Sequence, residues 1–179
     1  MQPDTRAARW AGDGPSGDPR ALRQALGSFA TGVTVVTTVA PDGRPVGLTA
    51  SSFNSVSMDP PLILWSLSNH SPSLAAFCNG GHFAVNVLAD GQIDLCQRFG
   101  RPVPDKFDGL ATTAGAGGVP LLSGAAAQFE CALEAVYPGG DHQILLGRVL
   151  RFRWSERTPL LFCRGRLGAA LPVEPALAG

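Results

Sequence analysis

Apolar positions along the chain change their spacing several times, and each change marks an element. Leu22, Ala25, Leu26 and Phe29 recur at helical spacing behind Asp18-Pro19, an N-cap followed by a proline at the first helical position. A short amphipathic helix is predicted there, ending by Gly32. From Val33 to Val39 β-branched residues dominate and a strand follows. Pro41-Asp42-Gly43-Arg44 has turn chemistry, and Val46 to Phe53 reads as the returning strand. Asp59-Pro60-Pro61 interrupts the chain before a strand at Leu62–Leu67. A second short helix is predicted from Ser71, with Pro72 at its first position, Leu74 and Phe77 turned inward, and Asn79-Gly80-Gly81 closing it. Phe83–Leu88 reads as a strand and Ile93–Phe99 as a third short helix, whereas residues 100–124 follow neither period.

The strongest local signal lies near the end. Ala127, Phe129, Cys131, Leu133, Ala135 and Tyr137 alternate against Gln128, Glu130 and Glu134, and Ile144, Leu146, Leu150, Phe152 and Trp154 share one parity. With Pro138-Gly139-Gly140-Asp141 between them, the two runs predict a long antiparallel hairpin with one buried face. A last short strand is expected at Leu160–Cys163. Strands outnumber helices, and most connections are too short for parallel crossovers, so a mainly β, antiparallel barrel with a few short peripheral helices is the expected architecture. Residues 1–17 are rich in Gly, Pro, Asp and Arg without an apolar period and are expected to be a disordered tail. One domain is expected over 18–170, with a C-terminal tail at 171–179.

Composition narrows the function. Lys+Arg and Asp+Glu balance at 14 each with no block of like charge, which argues against nucleic acid or an anionic membrane as partner. No apolar run reaches the length of a membrane span, and the N-terminus lacks the apolar stretch of a secretory signal, so a cytoplasmic location is expected. Cys78, Cys96, Cys131 and Cys163 form no metal-ligand spacing and are expected to be reduced, with no metal site.

Three segments could carry chemistry. Gly47-Leu48-Thr49-Ala50-Ser51-Ser52-Phe53-Asn54-Ser55-Val56-Ser57 gathers short hydroxyls and backbone N–H groups that suit a flat polar ring or a phosphate, or simply a capped Ser-rich turn. Ser68-Asn69-His70-Ser71-Pro72-Ser73 precedes a predicted helix start, which makes it either an anion site or an ordinary Ser-Pro cap. Gly140-Asp141-His142 places a histidine at the tip of the hairpin, either near a barrel mouth where a ligand could meet it or simply solvated in a loop. Neither a G-x-G-x-x-G nor a P-loop pattern is present, so any nucleotide or flavin is held by another kind of scaffold. The absence of G-x-S-x-G leaves a hydrolase without support.

Phe29-Ala30-Thr31-Gly32-Val33-Thr34-Val35-Val36-Thr37, then Gly47 to Phe53, then Ser55-Val56-Ser57-Met58-Asp59-Pro60-Pro61-Leu62, resemble the opening of the flavin reductase-like family. Phe83 to Leu88, Asp105-Lys106-Phe107, Gly140-Asp141-His142 and Pro159-Leu160 through Arg164-Gly165 continue the match in the family's order. The resemblance implies an antiparallel split β-barrel of Greek-key type that pairs as a homodimer. It implies reduction of FMN or FAD by NADH or NADPH, often in the service of a separate monooxygenase. Carried over by position, Thr49, Ala50, Ser51, Ser52 and Phe53 would line the flavin ring. Ser66, Ser71 and Ser73 would face its phosphate, and Lys106 and Phe107 would approach it from a loop. His142 would be the catalytic group facing the nicotinamide, with Arg164 and Gly165 also on the nicotinamide side. Many relatives carry Lys or Arg where this chain has Asn69-His70-Ser71-Pro72; if no cation reaches the phosphate there, the flavin is held loosely, as a substrate. A non-catalytic flavin- or haem-binding barrel, a pyridoxamine-phosphate-oxidase-like enzyme and an interaction module are the rival readings.

Overall fold

The computed structural model describes residues 18–170; both expected tails, 1–17 and 171–179, lie outside the described residues. The chain begins with α1 (Pro19–Leu26) and continues through β1 (Thr31–Gly32), β2 (Thr34–Val39), β3 (Pro45–Ala50), β4 (Asn54–Met58) and β5 (Pro61–Ser68). Then come α2 (Leu74–Asn79), β6 (His82–Val87), α3 (Ile93–Phe99), β7 (Thr112–Ala114) and β8 (Pro120–Leu122). The long hairpin of β9 (Ala127–Gly139) and β10 (His142–Trp154) is followed by β11 (Leu160–Cys163) and β12 (Arg166–Ala169). Seven strands form one antiparallel sheet in the order β3-β2-β6-β9-β10-β5-β4. Its two edge strands, β3 and β4, are joined by Ser51–Phe53 alone. Four Cα steps of extended chain span no more than about 14 Å, so the sheet must curl until its edges meet. The seam is stitched by Ser52, whose Oγ accepts from the Ser66 N–H at 2.9 Å and donates to the Ser66 carbonyl at 3.2 Å. An antiparallel split barrel results.

Asp18 caps α1 as expected, its carboxylate accepting from the Arg20 N–H at 2.9 Å. Among the described residues nothing covers the apolar face of the helix, since Leu22, Leu26 and Phe29 are 62%, 66% and 76% exposed. The expected strand over 46–53 ends at Ala50 as β3, residues 51–53 are a linker, and β4 from Asn54 is a strand that the sequence pattern did not predict. Edge strand β4 is mostly exposed and is bulged between Ser55 and Ser57, so it carries no alternation to read. The helix expected from Ser71 begins at Leu74, because Ser71 and Pro72 are spent on a turn closed by the Leu74 N–H on the Ser71 carbonyl. Residues 100–124 hold two three-residue strands that are too short to show a period.

The long hairpin is correct in extent and different in its faces. One irregularity opposes Leu146 and Gly147 to Ala135 and Leu133, and a second opposes Val149 and Arg151 to Cys131 and Glu130. Each extra residue reverses the alternation beyond it. Leu145, Gly147 and Val149 therefore face the barrel interior, whereas Ile144 and Leu146 pair with Tyr137 and Ala135 on the outside. Beyond Leu150 the face that carries Phe129 is continued by Phe152 and Trp154, opposite Phe129 and Ala127, and there it is exposed. Gln128 and Glu130, expected to be solvated, are buried.

Two apolar clusters sandwich the sheet. The barrel interior is filled by Val36, Trp65, Phe77, Phe83, Val85, Cys131 and Leu145. Phe83 fits because residue 147 is glycine: a Cβ there would overlap the Phe83 ring and lie 3.0 Å from Cys131 Cβ. On the other face, Val33, Val35, Leu88, Phe99, Leu122 and Leu160 form the second cluster. Beside it runs a buried polar network. The Asn86 side chain donates to the Val35 carbonyl at 3.1 Å and accepts from the Leu122 N–H at 2.9 Å and from Gln128 Nε2. Gln128 also donates to the Leu122 carbonyl at 2.9 Å, so β8 is pinned to the sheet through polar groups. Burial alone would push the Glu130 carboxyl up, but hydrogen bonds from Arg151 and the Ala116 N–H outweigh it and hold the group below its ordinary range. The cysteines are free; Cys131 is buried, and burial pushes its thiol up to about 12, while the other three are half-buried.

Candidate active site at the barrel seam

The seam opens on a cleft of about 290 Å³ lined by Leu48, Thr49, Ala50, Ser51, Ser52, Ser66, Leu67, Ser68 and His142. β3 lays down one wall with its outer edge, where alternate backbone N–H and C=O groups point away from β2. Ser51, Ser52 and Phe53 lie outside every strand pairing, so their backbone groups also face the gap. β5 lays down the opposite wall. The hydroxyls have distinct tasks. Thr49 Oγ1 donates to the Cys96 carbonyl at 2.8 Å, fixing β3 against α3, and Ser52 is committed to Ser66 across the seam. That leaves the Ser51 and Ser66 hydroxyls, the hydroxyl proton of Ser68, whose oxygen accepts from the His70 N–H at 3.3 Å, and the seam's backbone groups as the polar surface of the cleft. A flat, polar ring with acceptors along one edge fits this donor set.

His142 reaches the cleft from the first residue of β10, where it pairs with Ser68 of β5. The hairpin tip is tied down by three bonds. The Asn69 N–H donates to the Asp141 carbonyl at 2.9 Å, Asn69 Nδ2 to the Gly140 carbonyl at 3.1 Å, and Gln143 Nε2 to Asn69 Oδ1 at 2.8 Å. Gly140 supplies the left-handed turn, with φ of 70°. Asp141 Oδ1 lies 2.7 Å from His142 Nδ1. That bond, and the charge of a protonated His142, hold the Asp141 carboxyl below the ordinary carboxylate range. In the neutral imidazole the proton therefore sits on Nδ1, and Nε2 is an acceptor.

Next to the seam a larger cleft of about 650 Å³ is lined by Arg44, Gly47, Ser73, Lys106 and Phe107 among others. It joins the first along β3, where Gly47 gives way to Leu48. Lys106 Nζ donates to the carbonyls of Phe99 at 2.9 Å and Gly47 at 3.3 Å, and burial lowers its affinity for the proton. Phe107 packs edge-on against Phe99, 5.0 Å between centroids. Both residues thus build the wall as much as they present groups to a ligand. A cation that the sequence did not point to, Arg44, lines this cleft from the β2–β3 turn, its Nε 3.6 Å from the Asp42 carboxylate. Ser71 is not among the lining residues of either cleft, and its Oγ accepts from the Ser73 N–H at 3.3 Å.

Of the residues singled out from the sequence, Thr49, Ala50, Ser51, Ser52, Ser66 and His142 converge on the seam cleft, and Ser73, Lys106 and Phe107 on its neighbour. Phe53 packs 5.4 Å from Phe129 beside the barrel interior. Arg164 and Gly165 line a third cleft, against α1, and do not join His142 within one chain. Asn69 and Gln143 position the histidine and were not anticipated; nothing in their spacing marks them.

A barrel split at its seam, with a hydroxyl- and backbone-lined cleft under a tethered histidine, defines a class of protein that holds a flat polar ligand between edge strands. The chain belongs to the flavin reductase like domain family, whose model matches residues 26–170. It is 47% identical over 150 residues to HsaB, the reductase subunit of a flavin-dependent monooxygenase of Rhodococcus jostii, covering 83% of this chain and 76% of that one. It is 45% identical over 155 residues to the NADH-dependent FMN reductase SmoA of Agrobacterium fabrum, covering 86% and 88%. The NADH:FAD oxidoreductase of Streptomyces globisporus, solved with NAD and FAD fragments, superposes with a TM-score of 0.82 at 40% identity, covering 87% of this chain and 94% of that one. Against a Rhizobium meliloti relative 47% identical over 162 residues, the chain spans 50% of that protein's length.

Proposed function

We propose that this protein reduces FMN or FAD with NADH or NADPH and releases the reduced flavin to a separate oxygenase. The observation that carries the reading is the convergence of three separate segments, Thr49–Ser52, Ser66 and His142, on one seam cleft. Bound flavin would supply the redox chemistry, accepting hydride from the nicotinamide. The chain's own contribution is orientation and polarity. Ser51 and the backbone groups of Ser51–Phe53 would donate to the polar edge of the ring, where negative charge grows on reduction. His142 Nε2, an acceptor in the neutral ring, suits the amide N–H₂ of the nicotinamide and would set its angle. Arg44 and Ser73 would meet the flavin phosphate in the neighbouring cleft, with Lys106 holding the wall. Residues 18–170 would act as one catalytic unit. Among the described residues no helix is long and apolar enough to cross a membrane, and a cytoplasmic setting fits a supply of NAD(P)H.

Adding FMN or FAD should raise the melting temperature, because a ligand that binds only the folded state stabilises it by mass action. Replacing Ser51 and Ser52 together by valine should remove most of that shift. An unchanged shift would place the flavin elsewhere.

Pairing into a homodimer is part of the same reading. Leu150, Phe152 and Trp154 are 46%, 64% and 72% exposed, and the last two rings stack 6.2 Å apart in a row that leads through Phe129 to Phe53 beside the seam. A contiguous exposed aromatic row of this kind marks an interaction surface. Two-fold pairing through it would set the partner against the flavin cleft. Sedimentation at micromolar concentration should give twice the chain mass, and Trp154→Glu should shift it to one. A monomeric wild-type chain that reduces flavin would refute the shared site.

A further inference from the structure

The hairpin tip that carries His142 does little to hold it. Gly139 and Gly140 have no side chains to pack, and glycine backbone is the least restrained of any. The Asp141 side chain, next in line, is 85% exposed. Its 2.7 Å contact with His142 Nδ1 joins two neighbours on this tip and lies in solvent, where such a pair adds little restraint of its own. It fixes the ring relative to Asp141. It aims the ring at the cleft only as well as the Asp141 backbone is itself fixed, so the remaining restraint must come from outside the tip.

That restraint is Asn69, the first residue after β5. Strand pairing between β5 and β10 ends at Ser68 and His142. One step further out, the Asn69 N–H donates to the Asp141 carbonyl at 2.9 Å. Its carboxamide makes two more bonds. The Gly140 carbonyl can only accept, so the atom facing it at 3.1 Å is Nδ2, which leaves Oδ1 to accept from Gln143 Nε2 at 2.8 Å. Gly140 and Gln143 flank Asp141 and His142, and one side chain therefore grips the chain on both sides of the histidine. The segment behind Asn69 is closed by its own bonds, the Ser71 N–H on the Ser68 carbonyl at 3.0 Å and the Leu74 N–H on the Ser71 carbonyl at 3.1 Å, so it offers a firm anchor. Neither Asn69 nor Gln143 lines the seam cleft or its neighbour, which leaves them no direct contact with a ligand in either.

We propose that Asn69 is a positioning residue for hydride transfer, acting only through His142 by clamping the backbone on either side of it. The proposal rests on the reductase reading. Asn69→Ala removes both carboxamide bonds and keeps the backbone one, whereas Gln143→Leu removes only the second. Asn69 is exposed and Gln143 half-buried, and melting temperatures confirm that both variants are folded. Asn69→Ala should lower the limiting rate of flavin reduction by NADH about three- to tenfold, the scale of one or two solvated hydrogen bonds, with flavin affinity unchanged. Gln143→Leu should lose less, in the same parameter.

A double-mutant cycle separates positioning from general support of the fold. In the His142→Ala background, adding Asn69→Ala should cost nothing further, because the group it positions is already gone. Amide hydrogen exchange over 140–143, followed by mass spectrometry with no substrate present, should be faster in Asn69→Ala than in the wild type. Unchanged exchange overturns the clamp. A wild-type rate in Asn69→Ala overturns the proposal, and so does an equal loss with and without the histidine, since Asn69 would then act on something else. Flavin affinity falling in step with the rate would put Asn69 in the flavin's own pocket and overturn it as well. A wild-type chain that oxidises NADH with neither flavin overturns the reductase reading itself, a failure told apart because it needs no variant.

Discussion

His142→Ala should slow flavin reduction by roughly ten- to a hundredfold, with much less change in flavin affinity, as expected for the loss of one positioned polar contact. The ring is tethered twice over, by strand pairing with Ser68 and by the Asp141 carboxylate 2.7 Å from Nδ1. On the function proposed above, losing it would cost orientation at the nicotinamide and leave the hydroxyl-lined wall intact. Hydride passes between two stacked rings and needs no protein base, so a residual rate should persist. Asp141→Asn keeps the ring and offers Nδ1 either an acceptor or a donor, which releases the tautomer. It should give a smaller loss, in the same parameter. Stopped-flow loss of oxidised-flavin absorbance reads the rate, and a flavin titration reads the affinity. Wild-type rates in His142→Ala would make the residue a bystander; loss of flavin instead would move it into the flavin's own pocket.

The largest stability effect is expected at Asn86→Leu. The substitution keeps the volume roughly and removes the acceptor of the Leu122 N–H and of Gln128 Nε2, along with a donor to the Val35 carbonyl. Each buried group left unpaired costs about 1–3 kcal/mol, so a loss of at least about 3 kcal/mol is expected. For a domain of this size that lowers Tm by roughly 6–12 °C. Adding Gln128→Leu should restore part of the loss, because removing both partners is cheaper than orphaning one. Urea denaturation of the three proteins checks both statements. A loss under about 1 kcal/mol for the single variant would mean that the network is incidental.

Elements that present one covered face were legible in the sequence. The strand from Val33, the α3 helix and the extent of the long hairpin all follow from period alone. The family motifs also brought Thr49, Ala50, Ser51, Ser52, Ser66 and His142 to one cleft, because β3, β5 and the hairpin tip are neighbours across the seam. What could not be read is what depends on a second layer. Gln128 and Glu130 look solvated by alternation, yet β8 and its preceding turn cover them. Strand β4 is an exposed edge with a bulge and has no pattern to detect. Lys106 looks like a ligand group, but its ammonium is drawn to the Gly47 and Phe99 carbonyls, a contact between loops that no spacing encodes. Arg44 was overlooked because turn chemistry explained its segment completely.

The extra residue at Leu150 acts as a reading-frame shift for the strand. Upstream, odd-numbered positions of β10 look into the barrel; downstream, even-numbered ones share that face of the sheet, where it is exposed. Were Leu150 paired opposite Glu130 like an ordinary strand residue, Arg151 and Arg153 would fall opposite Phe129 and Ala127 and take the face that the Phe152 and Trp154 rings now hold. The same twelve-odd letters therefore encode either a cationic rim or an aromatic one, depending on a single residue whose own side chain need touch nothing. For anyone aligning relatives, a one-position gap at 150 leaves the rim aromatic, because Arg151 would follow Val149 directly; whether the extra residue is bulged or paired decides which alphabet the rim is written in.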